Sequence, residues 1–169
     1  MMKRLIVING TMGVGKTATC KELNKRLNNS VWLDGDWCWM MDPFIVNEEN
    51  KKMVKENIIF LLNNFMNNSN IENIIFNWVI HDESIMEEIL LGLNNRGYDL
   101  EKITLICSKS ALKARISKDI DEGKRDIACL ERSLNYLDLY KDMNTEKFDT
   151  SEKNVDEVVD EICTYLIRQ

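Results

Sequence analysis

The stretch RLIVINGTMGVGKT, which runs from Arg4 to Thr17, decides the fold of this 169-residue chain. It opens with an unbroken apolar run, Leu5 to Ile8, of the kind found in strands that are covered on both faces. A glycine-rich turn at 10–15 follows, and apolar residues then recur at helical spacing over 16–27. A strand that turns through glycines into a helix predicts a parallel sheet with helices packed on it.

The remainder of the chain repeats this alternation of strands and helices. We predict strands at 4–9, 30–34, 73–79, 102–107 and 147–150, and helices at 16–27, 48–66, 83–93, 110–120 and 155–166. Asp82 is the predicted N-cap of the third helix, and Gly97 lies just past its end. Ser110 is the predicted N-cap of the fourth helix, and Asn154 with Glu157 forms a predicted capping box before the last. The alternation predicts one α/β domain of three layers, with ligand sites at the carboxyl ends of the strands.

Residues Gly10 to Thr17 match the pattern G-x-x-x-x-G-K-[ST] at every fixed position. Glycines let successive backbone N–H groups turn toward one anion, and the N-terminus of the next helix faces the same anion. The alternative is a chance match in a tight turn. Chance matches that also have a strand before the motif and a helix after it are rare. The residues expected to bind ATP phosphates are Gly10, Met12, Gly13, Val14, Gly15, Lys16, Thr17 and Ala18, with Thr17 as a Mg²⁺ ligand.

Together with Leu33-Asp34-Gly35-Asp36 after the second strand, this loop resembles the small P-loop kinases related to nucleoside monophosphate kinases. The branch it is most similar to contains adenylylsulfate kinase, gluconate kinase and antibiotic phosphotransferases. The similar order of elements covers nearly the whole chain. The resemblance implies a five-stranded parallel sheet, a donor site for ATP and Mg²⁺, and a short helical lid at about 110–128. It leaves the acceptor open.

Two carboxylates, Asp34 and Asp36, follow the second strand at the predicted ligand edge. A carboxylate there can accept the proton of an acceptor hydroxyl or help to hold Mg²⁺, whereas an Asp-Gly-Asp turn that only caps the next segment is the alternative. Asp36 is the predicted base, substrate contact and second metal ligand, and Asp34 a predicted substrate contact. Many P-loop proteins place an Asp at the end of the third strand, but this chain has Asn77, which carries no charge. Either Asp34 or Asp36 takes its place at the metal, or Thr17, the phosphates and water hold the metal.

Aromatic residues and one histidine stand near the same predicted edge. Trp37 and Trp39 either wall a pocket for a flat or apolar acceptor or pack the next helix as a hydrophobic plug. His81, the single histidine, either orients the acceptor or serves only a structural role. All three are predicted substrate contacts.

The predicted lid is rich in basic residues. Arginines in such a segment can neutralise charge that builds up on the transferred phosphoryl group, although acidic neighbours also fit an exposed helix of mixed charge. By resemblance, Arg115 lies where a family arginine packs against adenine. Arg125 and Arg132 match, less clearly, the lid arginines that reach phosphates in the family. Arg125 is therefore a predicted catalytic residue.

The amino-acid composition argues against several classes of binding partner. Lys and Arg number 22 against 28 Asp and Glu, a net charge of −6, which argues against nucleic acid as the main partner. No apolar stretch is long enough to cross a membrane or to act as a signal peptide, so we expect a cytoplasmic protein. The five cysteines are scattered without a Cys-x-x-Cys pair, which predicts reduced thiols and no metal cluster.

These features predict an ATP-dependent kinase that phosphorylates a hydroxyl of a small molecule. One alternative is an ATP-binding regulatory switch with little transfer activity, for which Asn77 is the motive. A GTPase is disfavoured because an Asn-Lys-x-Asp motif is missing, and a large ATPase motor because its additional domain has no room. A nucleoside or nucleotide kinase is a further alternative, and metabolic and antibiotic-resistance roles are equally open.

Overall fold

Five strands form one parallel sheet, and the structure, a computed structural model, describes residues 2–94 and 97–168. The strands are β1 (Lys3–Asn9), β2 (Ser30–Asp34), β3 (Asn73–Asn77), β4 (Tyr98–Ile106) and β5 (Glu146–Asp149). The helices are α1 (Lys16–Arg26), α2 (Glu48–Asn67), α3 (Glu83–Leu91), α4 (Lys109–Asp121), α5 (Ala128–Lys141) and α6 (Val155–Arg168). A short 3-10 helix, Gly35–Trp39, follows β2.

The strands are ordered β2-β3-β1-β4-β5, so that β1 lies at the centre of the sheet. Neighbouring strands are parallel throughout, and their register places Asp34 beside Asn77 and Asn77 beside Ile8. The carboxyl ends of β1, β2 and β3 therefore meet at one edge, next to the glycine-rich loop. The predicted three-layer α/β fold of the P-loop type is confirmed.

Successive residues of β1 enter two separate cores, because side chains of a strand alternate between its faces. Ile6 and Ile8 pack in a core that includes buried residues of α1 and α6, whereas Leu5 and Val7 pack in a core that includes buried residues of α2 and α3. All four are essentially inaccessible to water. The continuous apolar run is thus that of a central strand covered on both sides, as predicted.

Several predicted element ends are wrong by a few residues. Helix α3 ends at Leu91 and is capped by Gly92, well before Gly97. Helix α4 begins at Lys109, because the side-chain oxygen of Ser108, rather than Ser110, accepts a hydrogen bond from the Ala111 N–H at 3.1 Å.

Other differences concern whole segments. Strand β4 begins earlier than predicted and β3 ends earlier, and helix α5 is missing from the sequence-based prediction. The predicted capping box before α6 is confirmed: the Asn154 N–H donates to Glu157 Oε2 at 2.8 Å, and the Glu157 N–H donates to Asn154 Oδ1 at 3.0 Å. No helix in the described part of the chain is both long and apolar enough to span a membrane.

Candidate active site

The loop between β1 and α1 owes its shape to its glycines. Gly10 has a φ of 145°, and a Cβ there would lie 2.7 Å from the carbonyl oxygen of Leu105. Gly15, the N-cap of α1, has a φ of 110° in the left-handed region that L side chains rarely adopt. The backbone can therefore curl tightly and deliver the chain into the N-terminus of α1, where unpaired N–H groups favour an anion.

Lys16 places a buried cation at this loop. Its side chain folds back so that Nζ donates to the carbonyl oxygens of Gly10 at 2.8 Å and Thr11 at 3.0 Å. Burial lowers the pKa of the ammonium from 10.5 to about 8, and the negative charges of Asp36 and Asp34 oppose that effect only in part. A buried cation with few compensating charges is a strong site for a phosphate group.

Thr17, Asp34 and Asp36 form a connected set of hydroxyl and carboxylate residues. The Thr17 hydroxyl donates to Asp34 Oδ2 at 3.0 Å, and the Asp36 N–H donates to Asp34 Oδ1 at 3.0 Å, so that both oxygens of the buried Asp34 are held. Hydroxyl and carboxylate oxygens are the ligands that Mg²⁺ prefers, together with water and phosphate. The set therefore fits Mg²⁺ bound beside a nucleotide. Among residues 2–94 and 97–168, three or more His, Cys, Asp or Glu side chains are nowhere grouped to hold a metal by themselves.

Asp36 lies on the cavity side of this set. Desolvation raises the pKa of its carboxyl, the nearby charge of Asp34 adds to that rise, and Lys16 together with a hydrogen bond from Trp78 opposes it. A carboxylate whose pKa is raised is a better proton acceptor near neutral pH than an ordinary one.

Asn77 occupies the third-strand position at which many P-loop proteins have a carboxylate. The side chain is fully buried, and its Oδ1 accepts a hydrogen bond from the Trp32 indole N–H at 2.5 Å. Because an indole nitrogen can only donate, it fixes the amide with the oxygen toward Trp32. The amide nitrogen Nδ2 is left without a protein partner, so Asn77 presents a donor rather than a metal ligand.

A cavity of about 1240 Å³ joins the loop to the segments after β2 and β3 and to the lid region. The predicted site residues that line it are Met12, Gly13, Gly15, Lys16, Thr17, Ala18, Asp36, Trp39, Arg115 and Arg125. The other predicted loop and strand residues, Gly10, Val14 and Asp34, lie behind the residues that line the cavity. Val14 and Asp34 are buried, and Gly10 packs against β4. The volume suffices for a nucleotide and a small acceptor together.

Two predicted acceptor contacts lie elsewhere. Trp37 packs against Trp32, with ring centroids 4.8 Å apart, and half of its surface faces solvent away from the cavity lining. His81 is exposed and stacks on Tyr136 with a centroid separation of 4.9 Å. The structure therefore brings only Trp39 of the three predicted ring-bearing contacts into the cavity.

The arginines of the lid region are held in place. Arg115 donates to the Val14 carbonyl at 3.2 Å, to Thr150 Oγ1 at 2.9 Å and to the Thr150 carbonyl, and it thereby ties α4 to the loop and to the end of β5. Arg125, in the turn between α4 and α5, donates to Asp119 Oδ2 at 2.8 Å. Both line the cavity, and so does Arg132 of α5.

Sequence reasoning missed most of the wall opposite the loop. Met40, Met41, Phe44, Val46 and Val79 line the cavity together with Asp42 and Asp119. The available signal was the apolar content of 37–46, a run that follows neither helical nor strand spacing and so predicts no element of its own.

One sequence family matches the chain, and its description is AAA domain. The match covers residues 6–136, which is more than half of the chain and includes the loop, both carboxylates and the lid region. Among curated proteins, none matches the sequence.

Solved structures share the fold at low sequence identity. A tunicamycin resistance protein from Deinococcus radiodurans is 19% identical with a TM-score of 0.67, covering 97% of this chain and 96% of its own. A gluconokinase from Sinorhizobium meliloti is 17% identical with a TM-score of 0.70, covering 98% and 92%. A shikimate kinase from Acinetobacter baumannii is 15% identical with a TM-score of 0.67, covering 98% and 94%. The predicted resemblance to small P-loop kinases is thus confirmed at the level of the fold.

Proposed function

Because this chain belongs to the P-loop family of AAA domains, we propose that it is an ATP-dependent phosphotransferase that moves the γ-phosphoryl group of Mg–ATP to a hydroxyl of a small molecule. The observation that carries the proposal is the pairing of Lys16 with Asp36 in one cavity. A buried cation stands at the phosphate loop, and a carboxylate with a raised pKa lines the same space.

On the donor side, the loop N–H groups and the N-terminus of α1 bind the phosphates of ATP. Lys16 exchanges its two carbonyl partners for β- and γ-phosphate oxygens, which are stronger acceptors for an ammonium group. Thr17, Asp34 and Asp36 would hold Mg²⁺, which supplies neutralisation of phosphate charge when bound there. Arg125 and Arg132 lie on the same cavity and would stabilise charge on the transferred group.

On the acceptor side, Asp36 accepts the hydroxyl proton. The acceptor oxygen forms a bond to the γ-phosphorus as the bond between that phosphorus and the β–γ bridging oxygen breaks, and ADP leaves with the electron pair of that bond. The carboxylate later returns the proton to water. Closure of the lid region over the cavity would keep water from competing with the acceptor.

The test is ADP release from Mg–ATP with pooled hydroxyl compounds. The first pools contain gluconate, shikimate, sugars, nucleosides and tunicamycin, because proteins of similar structure include a gluconokinase, a shikimate kinase and a tunicamycin resistance protein. Lys16→Met should reduce stimulated turnover by ~10²–10³-fold, as expected for removal of a preorganised charge, and Asp36→Asn should also reduce it strongly. Lys25→Met and Asp142→Asn make the same chemical changes at exposed positions outside the cavity and should leave turnover unchanged.

A regulatory ATP switch is the second candidate, and Asn77 is the observation that favours it. Without a third-strand carboxylate, the site can hold nucleotide while transferring slowly. Tight ATP binding with no acceptor-stimulated turnover in any pool would favour the switch and contradict the phosphotransferase. A nucleotide kinase is less well supported, because the wall opposite the loop carries no cation to hold an acceptor phosphate.

We infer a small-molecule acceptor in the cytoplasm, where ATP is available. The five cysteines are all free thiols, which supports a reducing compartment.

A further inference from the structure

The cavity has two chemically different halves. One half consists of the phosphate loop, α4, α5 and the turn between the two helices. Within residues 2–94 and 97–168, this half supplies every cation that lines the cavity: Lys16, Arg115, Arg125 and Arg132. The other half, which we name the acceptor wall, is apolar and consists of Trp39, Met40, Met41, Phe44, Val46 and Val79. Asp36 and Asp42 are the charged residues beside it.

The acceptor wall comes from stretches of sequence that contain no Lys or Arg. Residues 27–50 have none, and neither do residues 56–95. The lid arginines, Arg125 and Arg132, belong to the other half of the cavity, and in the proposed reaction they contact the transferred phosphoryl group. An acidic acceptor seated on this wall would meet carboxylates and no cation, and like charges at close range oppose binding.

Much of the apolar wall is open to water. Met40 is 85% exposed, Phe44 is 65% exposed and Val46 is 56% exposed, and Phe44 packs against Trp39 with ring centroids 5.7 Å apart. Contiguous apolar surface of this kind inside a concave site is the usual environment of an apolar ligand. Covering it with a sugar or sugar acid would leave most of the apolar area without a favourable contact.

Building on the phosphotransferase function above, we propose that the acceptor is an alcohol with an extended apolar or aromatic surface and without an acidic group. Its apolar part lies on Trp39 and Phe44, and its hydroxyl is presented to Asp36. A cationic amine is compatible with Asp42, whereas a carboxylate or phosphate is not. The reaction is the one described above, with ATP as phosphoryl donor and Asp36 as proton acceptor.

Three alcohols of nearly the same shape test the charge preference: neutral phenylpropanediol, cationic phenylalaninol and anionic phenyllactate. Binding is followed by tryptophan fluorescence in the presence of Mg–ADP, and transfer is followed with radiolabelled ATP. We expect the neutral and cationic compounds to bind at least about tenfold more tightly than phenyllactate. Equal or tighter binding of phenyllactate, or preferential transfer to gluconate or shikimate, would overturn the acceptor class while leaving the phosphotransferase standing.

A matched pair of variants tests the wall itself. Phe44 and Phe60 are both 65% exposed, but only Phe44 lines the cavity. Phe44→Ala should weaken binding of phenylpropanediol about tenfold, in line with loss of one aromatic contact surface, and Phe60→Ala should not change it. If Phe44→Ala instead leaves alcohol binding intact and converts a dimer to a monomer in size-exclusion chromatography, the wall is a protein interface and the inference is wrong.

Transfer and binding report on separate claims. Preferential binding of the neutral and cationic alcohols supports an apolar, non-acidic ligand on the acceptor wall even where radiolabel stays in ATP, and the phosphotransferase proposal itself fails only if none of the hydroxyl pools stimulates turnover. If none of the three alcohols binds, the proposed acceptor class is overturned.

Discussion

Lys16 shows how one residue links folding to binding in this protein. The ammonium is buried among carbonyl groups, and this burial lowers its pKa from 10.5 to about 8. Keeping it charged in the folded protein therefore opposes folding, whereas the charged form is what a phosphate requires. A phosphate supplies the compensating negative charge. The buried ammonium therefore lowers the stability of the ligand-free protein and raises its affinity for phosphate.

The pH dependence of stability follows from this pKa. Between about pH 8 and 10.5 the unfolded chain still holds the Lys16 proton while the folded chain has released it, so the contribution of Lys16 to stability rises with pH over that window. The contribution is on the order of 3 kcal/mol across the window. Urea unfolding of wild type and Lys16→Met at several pH values isolates it, since the variant lacks the titration. A difference between the two that stays constant from pH 8 to 10.5 would contradict the prediction.

Asn77 is a second residue whose environment permits a sharp test. Asn77→Asp places a further carboxylate beside Asp34, in a fully buried position. Like-charge repulsion and burial should lower the free energy of unfolding by about 2–4 kcal/mol without Mg²⁺, and Mg–ATP should recover part of it. Thermal unfolding with and without Mg–ATP measures both effects. Asn57→Asp, which makes the same change at an exposed position of α2, is the control and should change stability by much less.

At the scale of elements, the region that supplies the cavity arginines is fastened to the phosphate loop. Thr11 is fully buried, and its hydroxyl donates to the Ser133 carbonyl of α5 at 2.9 Å, while Arg115 of α4 holds the Val14 carbonyl. A shift of either helix is thereby coupled to the loop that receives the phosphates. The predicted lid at 110–128 corresponds to α4, the turn at 122–127 and the first residue of α5.

Thr11→Val tests this connection because it removes the hydroxyl with little change of volume. The Ser133 carbonyl would lose a buried partner, which should destabilise the protein by about 1–3 kcal/mol. Thr164→Val is the matched control: its hydroxyl also donates to a backbone carbonyl, that of Asp160 at 2.8 Å, but at an exposed site in α6. The two free energies of unfolding are compared by denaturant titration. Equal losses of free energy of unfolding in the two variants would show that the buried Thr11–Ser133 hydrogen bond stabilises the protein no more than the exposed one.

The two tryptophans after Asp36 show where sequence reasoning stops. Spacing alone suggested that Trp37 and Trp39 could wall one pocket, but both lie in the 3-10 helix Gly35–Trp39. With three residues per turn, each residue turns by about 120°, so that side chains two residues apart point in directions about 120° from each other. Trp39 therefore faces the cavity while Trp37 packs on Trp32.

Sequence patterns predicted structure correctly where neighbouring residues alone determine it. The strand, loop and helix around Gly10 to Thr17 were predictable because glycines, periodicity and burial agree there. Helix α5 was missed, although Cys129, Ser133, Leu137 and Tyr140 are buried at helical spacing and Asp126 Oδ1 accepts a hydrogen bond from the Cys129 N–H at 2.8 Å, as a capping carboxylate does. The acceptor wall was missed because only the tertiary fold brings 39–46 and Val79 to one surface.

At the scale of the whole molecule, the parallel sheet explains why one edge carries the chemistry. Its central strand ends in the phosphate loop, and the two strands on one side end in Asp34 and Asn77. The chain has a net charge of −6, yet four cations line the cavity beside the loop. Affinity for a nucleotide is therefore a local property of that edge rather than of the overall charge.

This division between donor and acceptor sides predicts how ATP stabilises the fold. A ligand that binds only the folded protein at about 100 times its Kd adds about 2.7 kcal/mol to the free energy of unfolding. Wild type should show this gain with Mg–ATP, and Lys16→Met should lose most of it because the variant lacks the phosphate-binding cation. Asp36→Asn should lose transfer but keep part of the gain, because Lys16, Thr17 and Asp34 remain to hold Mg–ATP. Loss of the ATP-dependent stabilisation in Asp36→Asn to the same extent as in Lys16→Met would mean that Asp36 serves mainly nucleotide binding, and its assignment as the base would be wrong.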